Sequence, residues 1–435
     1  MRALVVKKRR ASESAGAAPP CPPDHSAVYL VRQPVFNVDE ELLGNRLLSR
    51  RDGAKGPGGY LAAMPQDADG ELVLGEELHA LAPRGAVFLS VSRQELIERR
   101  ALSLPHERVV PCLGAAEAFD EDLRDAIDRH AMRGFRLALH ADDLTSVEGR
   151  LLERAHTLIV EVASSSPEEL RGLVSAVRGP MGPMKLVACG VESRRSFQIC
   201  RQLGFDMYQG QFVLRATSAP ARTGVQDRMG GIGTMAELAA TDSFERLAEI
   251  ITRDPGLSMR LLRYANSAHM ALPRRVGSVH EALAWLGTVA VREFALIAAM
   301  ADVPEAPAEM LVIALTRARM CEQLSRQLPG GSPEESFTVG LFSVAEAVAN
   351  APIEALVDEL PLREDIAQAL ICGEGELGRL LGTVIAYERG DFATAATLTG
   401  ASELIAATYL ESIRWADSAV RAVGGPRRPA HPAKA

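Results

Sequence analysis

The chain has 435 residues, 47% of them apolar, with a formal net charge of −8, which allows two or three domains at ~100–200 residues each. No apolar run approaches the ~18 residues of a membrane span, and the basic start MRALVVKKRR leads into Ser, Ala and Pro rather than an apolar secretory segment, so the expected compartment is the cytoplasm. Six cysteines scattered without CxxC or other metal-ligand spacing give no reason to expect disulfides or zinc, and the basic residues of the two tails lack the interleaved aromatics of a nucleic-acid arm.

Residues 1–25 form a low-complexity tail ending in PPCPPDH. Short apolar runs then predict strands at 28–36 (VYLVRQPVF), 41–49, 86–92, 108–114, 135–141, 157–163, 185–191 and 207–213. Helical patterns such as DEDLRDAIDRHAMR, PEELRGLVSAVR and SRRSFQICRQLG lie between several of them. Strands alternating with helices imply a parallel sheet, and eight candidates imply a barrel. The polar, Gly-rich connection at 50–85 predicts a short or imperfect one.

Residues 217–233, TSAPARTGVQDRMGGIG, carry the small residues, Pro and Gly of a linker. Beyond them the period becomes helical. Asp242 with Glu245, and Ser278 with Glu281, have capping-box spacing ahead of apolar residues. Asp254 and Pro255 make a helix start, since the carboxylate accepts orphan amides and proline suits the first helical position. Asn266 and Ser267 are placed to hydrogen-bond the turn that follows. Arg253, Arg260, Arg263, Arg274 and Arg275 read as a solvated rim, and Trp285 as core. Residues past Gly424 are again tail.

The run DPGLSMRLLRYANSA, a basic turn, then SVHEALAWLG closely resembles the HDOD domain, a relative of the HD and HD-GYP phosphohydrolases that lacks their metal site. Between Thr217 and Gly425 the histidines are His269 and His280, and neither precedes an aspartate. Where the hydrolases carry GLLHDIG this chain has GLFSVAE, with Ser343 and Val344 at the ligand positions, so no metal is expected there. The earlier half resembles the EAL domain, a TIM-barrel-like cyclic di-GMP phosphodiesterase. The resemblance rests on RQPVFNVDEELLGNRLLSR, on VACGVE for the AEGVE strand, and on LGFDMYQGQFV for the closing LGxDxxQGY. The C-terminal runs GLFSVAEAV, LPLREDIAQALI and GELGRLLGTVIAYERGDF are similar to the EAL–HDOD subgroup.

The implied fold class is α/β plus all-α, a degenerate TIM-barrel-like EAL domain followed by a helical HDOD bundle. The boundaries read as 1–25 tail, 26–216 barrel, 217–233 linker, 234–424 HDOD domain and 425–435 tail. Set against the EAL pattern, Arg46 stands for the metal-binding glutamate, Ser90 for an asparagine, Ile159 and Glu161 for the lysine and aspartate of the KxD strand, and Cys189 for the first glutamate of AEGVE. The aspartate pair is displaced into HADD, which leaves open whether His140 and Ala141 or Asp142 and Asp143 take its place. Arg50, Glu161, Glu192 and Gln209 remain. With most ligands gone and a cation introduced, the expectation is a pseudo-enzyme without metal or cofactor. It would act in signal transduction by binding a protein partner, with a homodimer possible and with no binding of cyclic di-GMP, membrane or nucleic acid expected. The alternative is a cyclic di-GMP sensor or a residual phosphodiesterase.

Overall fold

The computed structural model describes residues 28–51, 78, 81–141, 149–178, 184–216, 225–241, 243–267, 270, 272–303, 308–328, 331–360, 362–399 and 402–423. Eight strands close a barrel in chain order: β1 (Val28–Phe36), β2 (Leu42–Arg51), β3 (Ala86–Ser90), β4 (Val109–Gly114), β5 (Ala138–Ala141), β6 (Thr157–Glu161), β7 (Lys185–Cys189) and β8 (Met207–Gln209). Helices α1 (Arg93–Ile97), α2 (Glu121–Met132), α3 (Gly149–Leu152), α4 (Pro167–Arg178) and α5 (Arg194–Leu203) lie in the connections.

Two expectations need correction. The barrel is closed rather than imperfect, and the sheet is not parallel throughout, because β1 runs antiparallel to both β2 and β8. The reason is the connection. A parallel pair needs a crossover of a dozen or more residues, whereas only Asn37 to Glu41 join β1 to β2. Asn37 ties this turn, its Oδ1 accepting from the backbone N–H of Asp39 and of Glu41, both at 2.9 Å. Inside the barrel a small apolar cluster of Val35, Phe88, Cys112, Ala138, Ile159, Val187 and Cys189 fills the space. The outward apolar faces of the strands join the main core beneath the helices.

The second half is helical: α6 (Val225–Ala239), α7 (Phe244–Arg253), α8 (Pro255–Ala265), α9 (Val279–Leu286), α10 (Thr288–Ala301), α11 (Ala308–Ser325), α12 (Pro333–Phe342), α13 (Ala345–Ala349), α14 (Ile353–Glu359), α15 (Glu364–Cys372), α16 (Gly375–Glu388), α17 (Phe392–Thr399) and α18 (Ser402–Ala422). Helix α6 begins inside the stretch read as linker; its apolar residues Ile232, Met235, Ala236 and Leu238 are buried, so packing overrides the local Gly content. Asp254 caps α8 as expected, accepting from the N–H of Gly256 and Leu257. Asn266 holds the next turn by accepting from Val276 N and donating to Val276 O, both at 2.8 Å. Ser278 caps α9, while α7 is capped by Ser243; Asp242 lies outside the described residues. Trp285 is 43% exposed rather than core, with the Arg274 guanidinium over its ring. The rim arginines Arg253, Arg260 and Arg274 pair with Glu237, Asp302 and Glu281.

Gly382 sits on the exposed side of α16, with nothing near a Cβ built there. A Gly382→Ala chain is expected to gain ~0.5–1 kcal/mol by losing unfolded-state freedom at no steric cost; a urea midpoint equal to or below the parent's would contradict this.

The two halves are joined through β1. Strand β8 pairs with β1 only at Val35 and Phe36, so alternate residues nearer the start of β1 turn both backbone groups towards the helices. Tyr387 of α16 serves one of them, its hydroxyl donating to Leu30 O at 2.8 Å and accepting from Leu30 N at 3.1 Å. Tyr409 of α18 accepts from Arg32 N at 2.9 Å. Two phenols thus stand in for a neighbouring strand along an otherwise open edge. Between them the Arg32 side chain, 3% exposed, donates to Glu309 Oε1, to Asp417 Oδ2 and to the Leu81 carbonyl at 2.9–3.0 Å.

Candidate functional site at the barrel mouth

Strands β5, β6 and β7 present their C-terminal ends to one side of the barrel. Side chains alternate along a strand, so the residue two beyond an inward apolar one also faces the lumen, nearer its rim. Ala138, Ile159 and Val187 lie in the interior cluster, and His140, Glu161 and Cys189 stand above them. The ligand atoms of these three lie within 4.8 Å of one another. Arg46 joins them from β2, where it lies opposite Gln33 on one side and Phe88 on the other.

A single hydrogen-bond chain crosses this mouth. Arg46 Nη1 donates to Cys189 Sγ at 2.9 Å, and the Cys189 thiol donates to Gln209 Oε1 at 2.6 Å. Gln209 Nε2 donates to Gln33 Oε1 at 3.0 Å, and Gln33 Nε2 donates to the Glu388 carbonyl at 3.1 Å, so the chain ends in the helical half. Arg46 is 7% exposed, and its Nε has no hydrogen-bond partner.

Burial, assisted by the Arg46 charge, pushes the His140 pKa down to about 3, so the imidazole is neutral at physiological pH. Burial pushes the Cys189 thiol up to about 12 against the pull of Arg46. The mouth opens into a cavity of about 290 Å³, bounded on the barrel side by Arg46, His140, Glu161, Cys189 and Gln209 and on the helical side by Glu309, Thr316, Arg317, Glu388 and Tyr409.

Of the residues singled out in the sequence, Arg46, Glu161, Cys189 and Gln209 converge on this cavity. Glu192 lines its edge and accepts from Arg389 Nη2 at 3.2 Å. Ser90 ends β3 and does not line the cavity, and Ile159 lies below the mouth in the interior cluster. Arg50 lies on β2 opposite Tyr29. Asp142 and Asp143 lie outside the described residues; among the described residues of HADD, His140 lines the mouth.

In the helical half Ser343 donates to Gly340 O and accepts from Arg317 Nη1 at 3.2 Å, and Val344 is buried. Arg317 also pairs with Glu388, so an internal ion pair lies beside Ser343. Asp254, Pro255, Asn266 and Ser267 hold their helix and turn, away from the cavity. Gln33, Arg317, Glu388, Tyr387 and Tyr409 carried no signal in the sequence, because each has a partner more than fifty residues away.

Residues 236–350 match the family model described as HDOD domain. The Vibrio cholerae protein named cyclic di-GMP phosphodiesterase CdgJ is 26% identical over 372 residues, covering 84% of this chain and 85% of its own. Bacillus subtilis YuxH, an uncharacterized protein, is 26% identical over 89% of this chain and 98% of its own. Residues 236–350 therefore form an HDOD domain.

Among solved structures, Klebsiella pneumoniae BlrP1 in a calcium and cyclic di-GMP complex matches 44% of the chain with a TM-score of 0.33 and 14% identity, over little more than half (56%) of its own length. The EAL domain of Mycobacterium smegmatis DcpA matches 42% of the chain and 90% of its own, with a TM-score of 0.31 and 19% identity. Among the described residues no helix is long and apolar enough to cross a membrane.

The expectation of a pseudo-enzyme is corrected by one of these relatives, the Vibrio protein, which is aligned along most of both chains and is named a phosphodiesterase. The physical reason lies in how ligands were counted. The count assumed the oxygen-rich set that holds magnesium or manganese, and Arg46, His140 and Cys189 do not fit that set. The fold nevertheless gathers a different group of donors at the same mouth.

Proposed function

We propose that this protein engages cyclic di-GMP at the barrel mouth, with Arg46 receiving a phosphodiester. The observation that carries the reading is the buried Arg46 guanidinium, whose Nε lacks a hydrogen-bond partner and which lines the cavity. A buried charge is costly unless it is paired, and the planar fork of arginine matches the oxygens of a phosphodiester. The cavity, about 290 Å³, falls just below the ~300–1,000 Å³ typical of small-molecule sites. A dinucleotide therefore enters as α11, α16 and α18 give way, which ties occupancy to the helical half and to any partner that reads it.

A second reading, turnover of the same ligand, is favoured by the name of the Vibrio relative. In that case neutral His140 and the Glu161 carboxylate are the groups beside Arg46 able to accept or position a proton.

Titration calorimetry of the whole chain with cyclic di-GMP, followed by product analysis of the same sample, tests both. Arg46→Ala is expected to weaken binding by about 10–100-fold, the equivalent of one charged hydrogen-bond pair, and Arg46→Lys to restore little of it. A parent chain that gives no binding heat, or an Arg46→Ala chain that titrates like the parent, would overturn the proposal. Linear product in the sample would establish the second reading.

A further inference from the structure

We propose that His140, Glu161 and Cys189 form a zinc site of three protein ligands, with its fourth position open to the cavity beside Arg46. The inference stands on ligand geometry and does not require the nucleotide.

Three strand ends supply one nitrogen, one carboxylate oxygen and one sulfur, all within 4.8 Å of one another. A tetrahedral zinc with bonds of ~2.0–2.3 Å needs ligand atoms about 3.3–3.8 Å apart, a contraction that side-chain torsions can supply. Their backbones are fixed by the closed sheet, with Glu161 directly opposite Cys189 in the parallel ladder. Mixed N, O and S donors suit a borderline-soft ion and are wrong for magnesium or manganese.

Charge is accounted for. A Cys189 thiolate and the Glu161 carboxylate balance the two charges of zinc, His140 enters neutral, and the proton now donated by the thiol to Gln209 leaves for solvent. Arg46, already on the sulfur, favours the thiolate and keeps its own charge available to an anion at the open position. Three protein ligands plus one exchangeable position is the arrangement of catalytic rather than structural zinc.

The test uses the full chain purified without chelator, assayed for metal content and titrated with zinc against a chromophoric competitor in the absence of nucleotide. One equivalent of zinc is expected, with about one proton released per ion in weak buffer. Cobalt substitution should give a thiolate-to-metal charge-transfer band. Outer-shell changes alone weaken zinc by about 10–100-fold, so Cys189→Ser should cost at least about 100-fold and abolish the band. Cys372→Ser, which removes an exposed thiol, should change neither.

A parent chain without stoichiometric zinc or cobalt band would overturn the proposal, as would a Cys189→Ser chain that binds like the parent. Should Cys189→Ser fail to fold by circular dichroism, Glu161→Gln gives the same reading, and unchanged zinc affinity there is equally fatal. Repeating the cyclic di-GMP titration in EDTA separates the two proposals, because Arg46 binding survives loss of the metal site only if the phosphodiester reading holds on its own.

Discussion

An Arg32→Ala chain is expected to lose about 3–5 kcal/mol of stability, the usual cost of removing one partner from a buried charge cluster. Among the described residues Arg32 is the cation that forms ion pairs with Glu309 and Asp417, whose side chains are 8% and 12% exposed, and both carboxylates would be left behind. Burial already pushes the Glu309 pKa above its ordinary value, with Arg32 pulling it back; without Arg32 it rises further. The folded chain then holds a proton at pH values where unfolded glutamate, at ~4.3, has released it. Stability of the variant should therefore fall as pH rises from about 5 towards neutrality, since the unfolded state binds fewer protons there. Urea denaturation at two pH values reads both effects, and a variant matching the parent at each would show that the cluster does not join the halves. Replacing all three residues together, Arg32→Met with Glu309→Leu and Asp417→Leu, should recover most of the loss, because no uncompensated charge remains.

Gly340→Ala should be comparably damaging through a different cause. A Cβ on Gly340 would stand 2.6 Å from Ala318 Cα, 2.6 Å from Ala318 N and 2.7 Å from the Arg317 carbonyl carbon. These are backbone atoms of α11, so no side chain can move aside and α12 must shift bodily. Overpacking of this kind costs ~1–3 kcal/mol or more, roughly 2–12 °C in Tm for a helical region of this size. The same shift carries Arg317 away from Ser343 and disturbs the cavity wall. A scanning calorimetry trace with the parent's Tm would refute the close approach of the two helices. Gly382→Ala on the same scan should move the opposite way.

The local features were legible because their chemistry is local. Asp254 and Pro255 start a helix wherever they fall, since a carboxylate accepting from Gly256 and Leu257 needs residues two and three positions away. Asn266 reaches only to Leu262 and Val276. The strand spans were likewise set by runs of apolar residues, and β1 occupies the range read from its sequence. The candidate site was half legible. Arg46, Glu161, Cys189 and Gln209 could be picked out by likeness to a pattern, but whether they converge, and with what, could not. That His140 lines the mouth depended on which residues of β5 face inward. The meeting of His140, Glu161 and Cys189 was hidden in the sequence for the same reason: spacing rules for ligands assume one hairpin or helix, while these three donors come from strands separated in the chain by about twenty to fifty residues.

By itself, the sequence determined a barrel-forming half, a helical half resembling the HDOD domain, their caps and most of their strand positions, because hydrophobic period and capping act over a few residues. Tertiary structure alone decided the reversal of β1, the pairing of its open edge with Tyr387 and Tyr409, the burial of Arg32 between Glu309 and Asp417, and the meeting of His140, Glu161, Cys189 and Arg46 at one mouth. Each of these depends on where a closed sheet and a packed bundle bring distant residues, and on the burial that then makes their charges and hydrogen bonds matter.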